Sequence, residues 1–217
     1  MTKATAPRRW DAGDALIGGE DYRNWVFDGM ALDHQDLADC TFEGCSFLRT
    51  DLTGTRLNAS VFRHCNLSHA RLAGANLFST AFEDCKLMGV DFRDGVTLTG
   101  TTCTRCNLNY ALLRGVSLAK LHWVGCSLVE ADLSLSDLRE ASFVNCDLTR
   151  VDLEEATFFQ TDLRGANLTG WNLKRYDLHG VIITPAQFSA LATELGILIL
   201  EAGETRAKGR PSRARGR

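Results

Sequence analysis

The chain contains 217 residues, of which 45% are hydrophobic and 24% are charged, and its formal net charge is −3. This balance is typical of a folded globular protein and argues against a mostly disordered chain. No segment reaches the run of about 18 apolar residues that a membrane-spanning helix requires. We therefore expect a soluble protein that does not act at a membrane.

Residues 1–19 precede any regular pattern, and we predict that they form an N-terminal segment that caps the fold. The basic residues Lys3, Arg8 and Arg9 are not followed by the apolar run of a secretory signal peptide. We therefore expect a cytoplasmic protein, in which cysteines stay reduced.

A five-residue repeat occupies residues 20–184. An α-helix buries one face about every 3.6 residues and a strand about every 2.0, so neither places such a pattern on one apolar side. Extended from Tyr22 to Ile183, the pattern comprises 33 units, and a small residue usually stands two positions before each central apolar residue. The pattern is clearest in CDLTRVDLEEATFFQTDLRGANL, residues 146–168, whose central residues are Leu148, Leu153, Phe158, Leu163 and Leu168.

We predict that each unit forms one wall of a coil and that four units complete the coil. The evidence is a second period of 20 residues, seen in Phe42, Phe62 and Phe82. Repeats of this kind bury their apolar faces by stacking on copies of themselves. The predicted fold is therefore an all-β solenoid of about eight coils. Its walls are numbered 1 to 4 after the central residues of one coil, which are Phe42, Phe47, Leu52 and Leu57.

One extra residue interrupts the repeat in FRDGVTLTG, residues 92–100, so that the next central residue after Phe92 is Leu98. Gly95 lies inside this segment and indicates a bulge. Such a bulge either adjusts the twist of the solenoid or bends it into two shorter rods, and the sequence leaves both open.

The cysteines and histidines do not predict a catalytic or metal site. Six of the eight cysteines recur at 20- or 21-residue spacing in the small inward position, which favours buried thiols over disulfides or metal ligands. The five histidines fall at outward positions on different walls, and the chain has no phosphate-binding glycine motif. We expect no enzymatic activity, no cofactor and no small-molecule substrate.

Charge is distributed unevenly over the predicted solenoid. Residues 20–184 contain 22 Asp and Glu residues against 15 Lys and Arg residues, a net charge of −7, most of it on walls 3 and 4. These walls are either a solvated surface or an anionic ridge that presents carboxylates to a basic partner, as DNA presents its phosphates. The candidate partner-binding residues are Asp51, Asp91, Asp94, Asp132, Asp152, Glu154 and Glu155 on wall 3 and Asp137 and Glu140 on wall 4.

Residues 185–200 break the repeat and predict a short C-terminal helix. Thr184 suits the N-cap, Pro185 the first helical position and Gln187 a capping box, and Gly196 stands where the helix would end. A helix here could cap the last coil of a monomer, but its apolar surface exceeds what a cap needs, and we favour homodimerisation. The candidate dimerisation residues are Phe188, Leu191, Leu195, Ile197, Leu198, Ile199 and Leu200.

Residues 201–217 carry six basic and two acidic residues and predict a disordered basic tail. The tail is either free in solvent or contacts nucleic acid or the acidic walls. Apart from this tail we expect no direct binding to nucleic acid.

The units ADLSL, ANLFS and ANLTG match the consensus A(D/N)LXX, and the chain resembles the pentapeptide-repeat proteins. That resemblance implies a right-handed quadrilateral β-helix. DLHGVIITPAQFSALATELGILI, residues 177–199, is similar to the C-terminal end of the Qnr and MfpA group of this family. Members of that group form end-to-end dimers, resemble B-DNA in size and charge, and bind DNA gyrase and topoisomerase IV, opposing fluoroquinolones.

The resemblance therefore implies a DNA mimic that modulates a type II topoisomerase. Qnr proteins carry projecting loops, whereas one extra residue interrupts the coils here, as expected for the loopless MfpA type. The alternative is a scaffold for another protein partner, anchored by outward apolar residues. These residues are Phe78, Met88, Leu135 and Phe159.

Overall fold

The protein is described from a computed structural model that covers residues 8–10, 16–171, 174–194 and 196–197. It contains short β-strands and one helix. The strands are β1 (Arg8–Arg9), β2 (Asp21–Arg23), β3 (Trp25–Val26), β4 (Thr41–Glu43), β5 (Val61–Arg63), β6 (Ala81–Glu83), β7 (Thr102–Thr104) and β8 (His122–Val124), and the helix is α1 (Pro185–Glu194).

A corner at every fifth residue explains the period of the repeat. The residue two positions after each central residue up to Leu168 adopts a positive φ, as in His34 (57°), Asp84 (53°) and Leu135 (60°), or is a glycine such as Gly115 (71°). A left-handed conformation costs a non-glycine residue about 1–2 kcal/mol. Hydrogen bonds between coils offset this cost, since the His34 amide donates to the Thr53 carbonyl at 2.8 Å.

Coils stack in parallel and in register, as the 20-residue period predicts. Strands β2, β4, β5, β6, β7 and β8 form one sheet in that order on wall 1, where Phe42 pairs with Phe62 and Phe62 with Phe82. The other three walls are joined by isolated bridges such as Ser46 to Asn66, Asp51 to Arg71 and Arg56 to Asn76. The predicted right-handed quadrilateral β-helix is confirmed.

The number of coils is slightly smaller than predicted. Counted by the strands on wall 1, the solenoid has six turns, not eight. The prediction counted every five-residue unit, whereas beyond β8 the register continues only as isolated bridges, such as Ser142 to Asp162 and Asp162 to Ile182.

The interior consists of the predicted central residues. Every one of them from Tyr22 to Leu168 is buried, whereas Leu178 and Ile183 are half-buried and Leu173 lies outside the described residues. Where the small residue two positions earlier is a serine or threonine, its hydroxyl donates to the coil before, as the Thr50 hydroxyl does to the Phe27 carbonyl at 2.8 Å.

All eight cysteines are buried and free, as expected for core thiols. Each thiol of the repeated column is within donating distance of a carbonyl, as for Cys65 and the Phe42 carbonyl at 3.3 Å. Burial raises the pKa of the Cys103 thiol well above its usual value, so this group stays protonated.

The extra residue of the frame slip is absorbed at the corner between walls 3 and 4. Asp94 (φ 54°) and Gly95 (φ 81°) are both left-handed there, where other corners use one such residue. The predicted bulge is therefore present. Register is regained at once on wall 1, where Phe82 pairs with Cys103.

Candidate protein-binding surface

The acidic residues of wall 3 form one column on one flank of the solenoid. Bridges join Asp91 to Leu112, Leu112 to Asp132, and Asp132 to Asp152, so the three carboxylates lie on the same wall. Neighbouring coils of such a ladder are about 4.8 Å apart. The structure thus brings Asp132 and Asp152 into adjacent coils.

Most of these carboxylates also shape the backbone, a role that the sequence interpretation missed. An Oδ1 atom of Asp51, Asp132 or Asp152 accepts the amide of the residue two positions later at 3.0 Å. Asn66 and Asn76 make the same bond from equivalent positions. The interchange of Asp and Asn before each central residue is the sequence signal of this Asx turn.

Arginine and lysine side chains neutralise much of the predicted acidic surface. Arg93 binds Asp91 with two guanidinium nitrogens, at 2.9 and 2.7 Å, and holds the pKa of this carboxyl below its usual value. The formal charge of the sequence does not show which carboxylates are paired. The other predicted residues in ion pairs are Asp51 with Arg71, Asp137 with Arg139, Glu140 with Lys120 and Glu154 with Arg175.

Four of the predicted residues have no ion pair within the described part of the chain. They are Asp94, Asp132, Asp152 and Glu155. Asp94 and Glu155 lie at the corner between walls 3 and 4, with φ of 54° and 57°, and are exposed. Arg93 interacts electrostatically with Asp94 and Asp132, so the least compensated of these carboxylates are Asp152 and Glu155.

Apolar residues also reach the surface. Phe78 and Phe159 lie on wall 4 with exposures of 50% and 46%, and Leu135 at the corner before wall 4 is exposed as well. Met88 on wall 2 is half-buried, less exposed than expected.

The C-terminal helix is hydrogen-bonded to the last coils through the side chain of Gln187. The Gln187 amide nitrogen donates to the carbonyls of Leu163 (2.7 Å) and Ala166 (2.9 Å), and its oxygen accepts from the amides of Gly165 (3.0 Å) and Thr184 (2.9 Å). The predicted capping box with Thr184 is present. The bonds to the coil were not predicted, because they depend on where the helix lies.

The predicted dimerisation residues separate into two groups within the described chain. Phe188 and Ile197 are exposed at 57% and 50%, whereas Leu191 is half-buried and packs against the core. The remaining predicted residues, Leu195, Leu198, Ile199 and Leu200, lie outside the described residues, as does the tail at 201–217.

Within the residues that the structure covers, no helix has the length and apolar character needed to span a bilayer. The same residues include no group of three or more His, Cys, Asp or Glu side chains placed to hold a metal ion. His34, His64 and His69 instead occupy left-handed corners.

Comparison with known families agrees with this architecture. The family described as a pentapeptide repeat region matches residues 35–113, and the family described as "Pentapeptide repeats (8 copies)" matches residues 124–154. The chain belongs to the pentapeptide-repeat family. No curated protein matches it in sequence.

Solved structures of QnrB1, described as a plasmid-mediated fluoroquinolone resistance protein, share the fold of this pentapeptide-repeat protein. Full-length QnrB1 is 26% identical with a TM-score of 0.67, and covers 88% of this chain and 95% of its own. Two trypsin-treated variants have TM-scores of 0.73 and 0.77 at 25% and 22% identity. They cover 89% and 91% of this chain and 95% and 100% of their own.

Proposed function

We propose that this protein binds a type II topoisomerase, DNA gyrase or topoisomerase IV, and modulates its activity or its sensitivity to fluoroquinolones. The observation that carries the proposal is the likeness to QnrB1, a fluoroquinolone resistance protein, over 88% of this chain and 95% of that one. The similarity of residues 177–199 to the Qnr and MfpA group supports the same partner.

The proposed contact is electrostatic and uses walls 3 and 4 as a DNA mimic. Asp132 and Asp152 present stacked carboxylates without ion pairs among the described residues, and Glu155 adds a third at the adjacent corner. A basic DNA-binding surface would be attracted to this charge, which speeds encounter and fixes orientation. The paired residues Asp91 and Asp137 contribute less, because their arginine partners already balance them.

The role is proposed as one of binding without catalysis, in the cytoplasm and as a homodimer. Phe188 and Ile197 support dimerisation, because both expose apolar side chains next to the end of the solenoid. Pairing two copies at this end would extend the acidic wall along a longer rod, which fits an extended partner groove.

A supercoiling assay with purified gyrase tests the proposal, in the presence and absence of ciprofloxacin. The informative variant is Asp132→Asn with Asp152→Asn, because asparagine keeps the Asx turn and removes the charge. We expect a several-fold weaker effect on gyrase, and a weaker effect of the wild type at high salt.

Asp147→Asn is the matched control, since Asp147 makes the same turn to Thr149 on wall 2. It should leave the effect on gyrase unchanged. The proposal fails if wild-type protein at micromolar concentration does not alter supercoiling under either condition. Equal losses in both variants would assign the carboxylates to folding alone.

Exposed aromatics favour a second candidate, a scaffold for another protein. Phe78 and Phe159 stand on one wall and are each about half exposed, the kind of anchor that dominates protein interfaces. A partner that is captured by the wild type and lost on Phe78→Ala or Phe159→Ala would favour this function. Tyr110→Ala is the control, because Tyr110 is equally exposed but lies at the corner between walls 2 and 3.

A further inference from the structure

The hydrogen-bond ladder of wall 4 is interrupted at one level of the solenoid. Below the interruption the Leu77 amide donates to the Thr97 carbonyl at 2.9 Å, and above it the Leu118 amide donates to the Asp137 carbonyl at 2.9 Å. Bridges likewise join Asn76 to Thr97 and Ser117 to Asp137, but within the described chain none joins Thr97 to Ser117.

Backbone groups on both sides of this interruption are left without partners among the described residues. They include the amides of Leu98, Gly100 and Ser117 and the carbonyls of Val96, Ser117 and Ala119. We call this region the open seam. The coils remain joined on both flanks of it, through Asp91 to Leu112 on wall 3 and through β7 and β8 on wall 1.

Two features of the sequence account for the seam. The bulge at Asp94 and Gly95 adds a residue to the lower coil just before wall 4. The second feature is a large side chain at a position that is small in the neighbouring coils. Leu121 lies over Leu98, whereas the corresponding positions over Leu77, Leu118 and Leu138 hold Thr101, Ala141 and Thr161.

The seam opens into a cleft of about 380 Å³. This volume is at the lower end of the range for ligand sites, about 300–1,000 Å³. Val96 and Val116 line the cleft as half-buried apolar residues. Arg114 also lines it, and its guanidinium donates to the Ser134 hydroxyl, which in turn donates to a carboxylate oxygen of Asp132.

We propose that the open seam binds a short extended peptide segment of a partner protein by backbone pairing. Ser117 presents both its amide and its carbonyl to the gap, and Leu98 presents its amide opposite. A peptide backbone offers a donor and an acceptor at this spacing, whereas an anion only accepts and a metal ion does neither. Unpaired sheet edges bind extended peptides in this way.

The side chains of the cleft select the peptide. Val96 and Val116 favour small aliphatic residues, and Arg114, which makes no direct ion pair among the described residues, favours an acidic residue. The expected partner therefore presents an extended segment that alternates aliphatic and acidic residues. Asp94 of the acidic surface also lines the cleft, and Ser134 links Arg114 to Asp132, so the two surfaces adjoin. The seam is tested by peptide binding and the proposed function by its effect on gyrase, so either can fail without the other.

Amide hydrogen exchange of the full-length protein, followed by NMR, tests whether the seam is open. The amides of Leu98, Gly100 and Ser117 should exchange at least about 100-fold faster than those of Leu77, Ser79 and Asp137, which are bonded between coils on the same wall. Equal protection of the two sets would show a closed ladder and would overturn the proposal.

Titration with the peptide acetyl-Val-Asp-Val-Asp-Val-amide tests binding. We expect saturable shifts of the Leu98, Gly100 and Ser117 amides, and at least tenfold weaker binding after N-methylation of alternate peptide nitrogens or replacement of both aspartates by lysine. Equal binding of the N-methylated peptide, or no binding of the parent at millimolar concentration, would overturn the proposal. Identical shifts with inorganic phosphate alone would do the same, because they would indicate an anion site at Arg114.

Val116→Phe fills the cleft and should abolish the peptide-induced shifts. Val144→Phe is the matched control, because Val144 is a half-buried valine of the sheet-bearing wall outside the cleft. It should bind the peptide as the wild type does. Undiminished binding to a folded Val116→Phe variant would place the peptide elsewhere and overturn the proposal.

Discussion

Walls 1 and 4 are built from the same five-residue units, yet they differ in continuity. Wall 1 carries a six-stranded sheet, and the inward rings of Phe42 and Phe62 stack with centroids 4.7 Å apart. On wall 4 the ladder stops between Thr97 and Ser117, and Phe78 lies at the surface, half exposed.

This difference shows which residues determine the fold and which are free to vary. Inward residues repeat on every wall, because each must fill the same interior. Pairing on the remaining walls holds the coils together where wall 4 is interrupted, so one inserted residue at Gly95 changes a surface without changing the architecture. The largest expected difference in stability is between replacing a buried phenylalanine of wall 1 and replacing the exposed phenylalanine of wall 4.

Phe62→Ala should destabilise the protein by about 3–5 kcal/mol, because it removes a fully buried ring and leaves a cavity between Phe42 and Phe82. Phe78→Ala on wall 4 should change the free energy of unfolding by less than about 0.5 kcal/mol. Denaturant unfolding monitored by circular dichroism measures both. A comparable loss in the two variants would mean that Phe78 packs as a core residue.

The fold could be predicted because its determinants are local and repeated. A central apolar residue and a small residue two positions earlier recur in nearly every unit, so an error in one unit does not change the interpretation. The C-terminal helix was predictable because its signal is also local, since Thr184 and Gln187 lie within one turn.

Features that depend on how neighbouring coils meet could not be predicted. The pairing of Asp91 with Arg93 follows from their spacing, but its effect on the wall's charge requires the observed geometry. The open seam depends on where the extra residue at Gly95 is absorbed and on the large side chain of Leu121, at a position that is small in the neighbouring coils. The number of coils was predicted wrongly for a similar reason, because the sequence shows the five-residue units but not which of them form strands.

Glycine corners give a smaller test of the same comparison. Gly89→Ala, at a closed corner with φ 63°, adds a Cβ only 2.6 Å from His69 Nδ1, whereas Gly115→Ala, at the seam with φ 71°, meets no atom within 4 Å. Both variants force alanine into the left-handed region and should lose about 1–2 kcal/mol. Thermal unfolding should show the larger loss for Gly89→Ala, and the reverse order would contradict the open geometry at Gly115.

The smallest expected effect concerns stability at acid pH, for one carboxylate on wall 4 and one on wall 1. Hydrogen bonds from Arg139 lower the pKa of Asp137 on wall 4, and those from Arg164 lower the pKa of Asp162 on wall 1. A lowered carboxyl pKa stabilises the folded state above the unfolded value of about 3.9, and this contribution disappears as pH falls through the folded pKa. Asp137→Asn should therefore lower the free energy of unfolding by less than about 1 kcal/mol at pH 7. It should have no effect at a pH where Asp137 is protonated in both the folded and the unfolded protein.

Asp162→Asn should behave alike, because its turn and its arginine partner have the same geometry, with N to O distances of 2.7 Å in both pairs. Urea midpoints measured from pH 7 down to pH 2 test this equality. The coil of Asp137 borders the open seam, since Asp137 bridges to Ser117. A smaller contribution from Asp137 than from Asp162 would contradict this equality and would show that the seam loosens the coil above it.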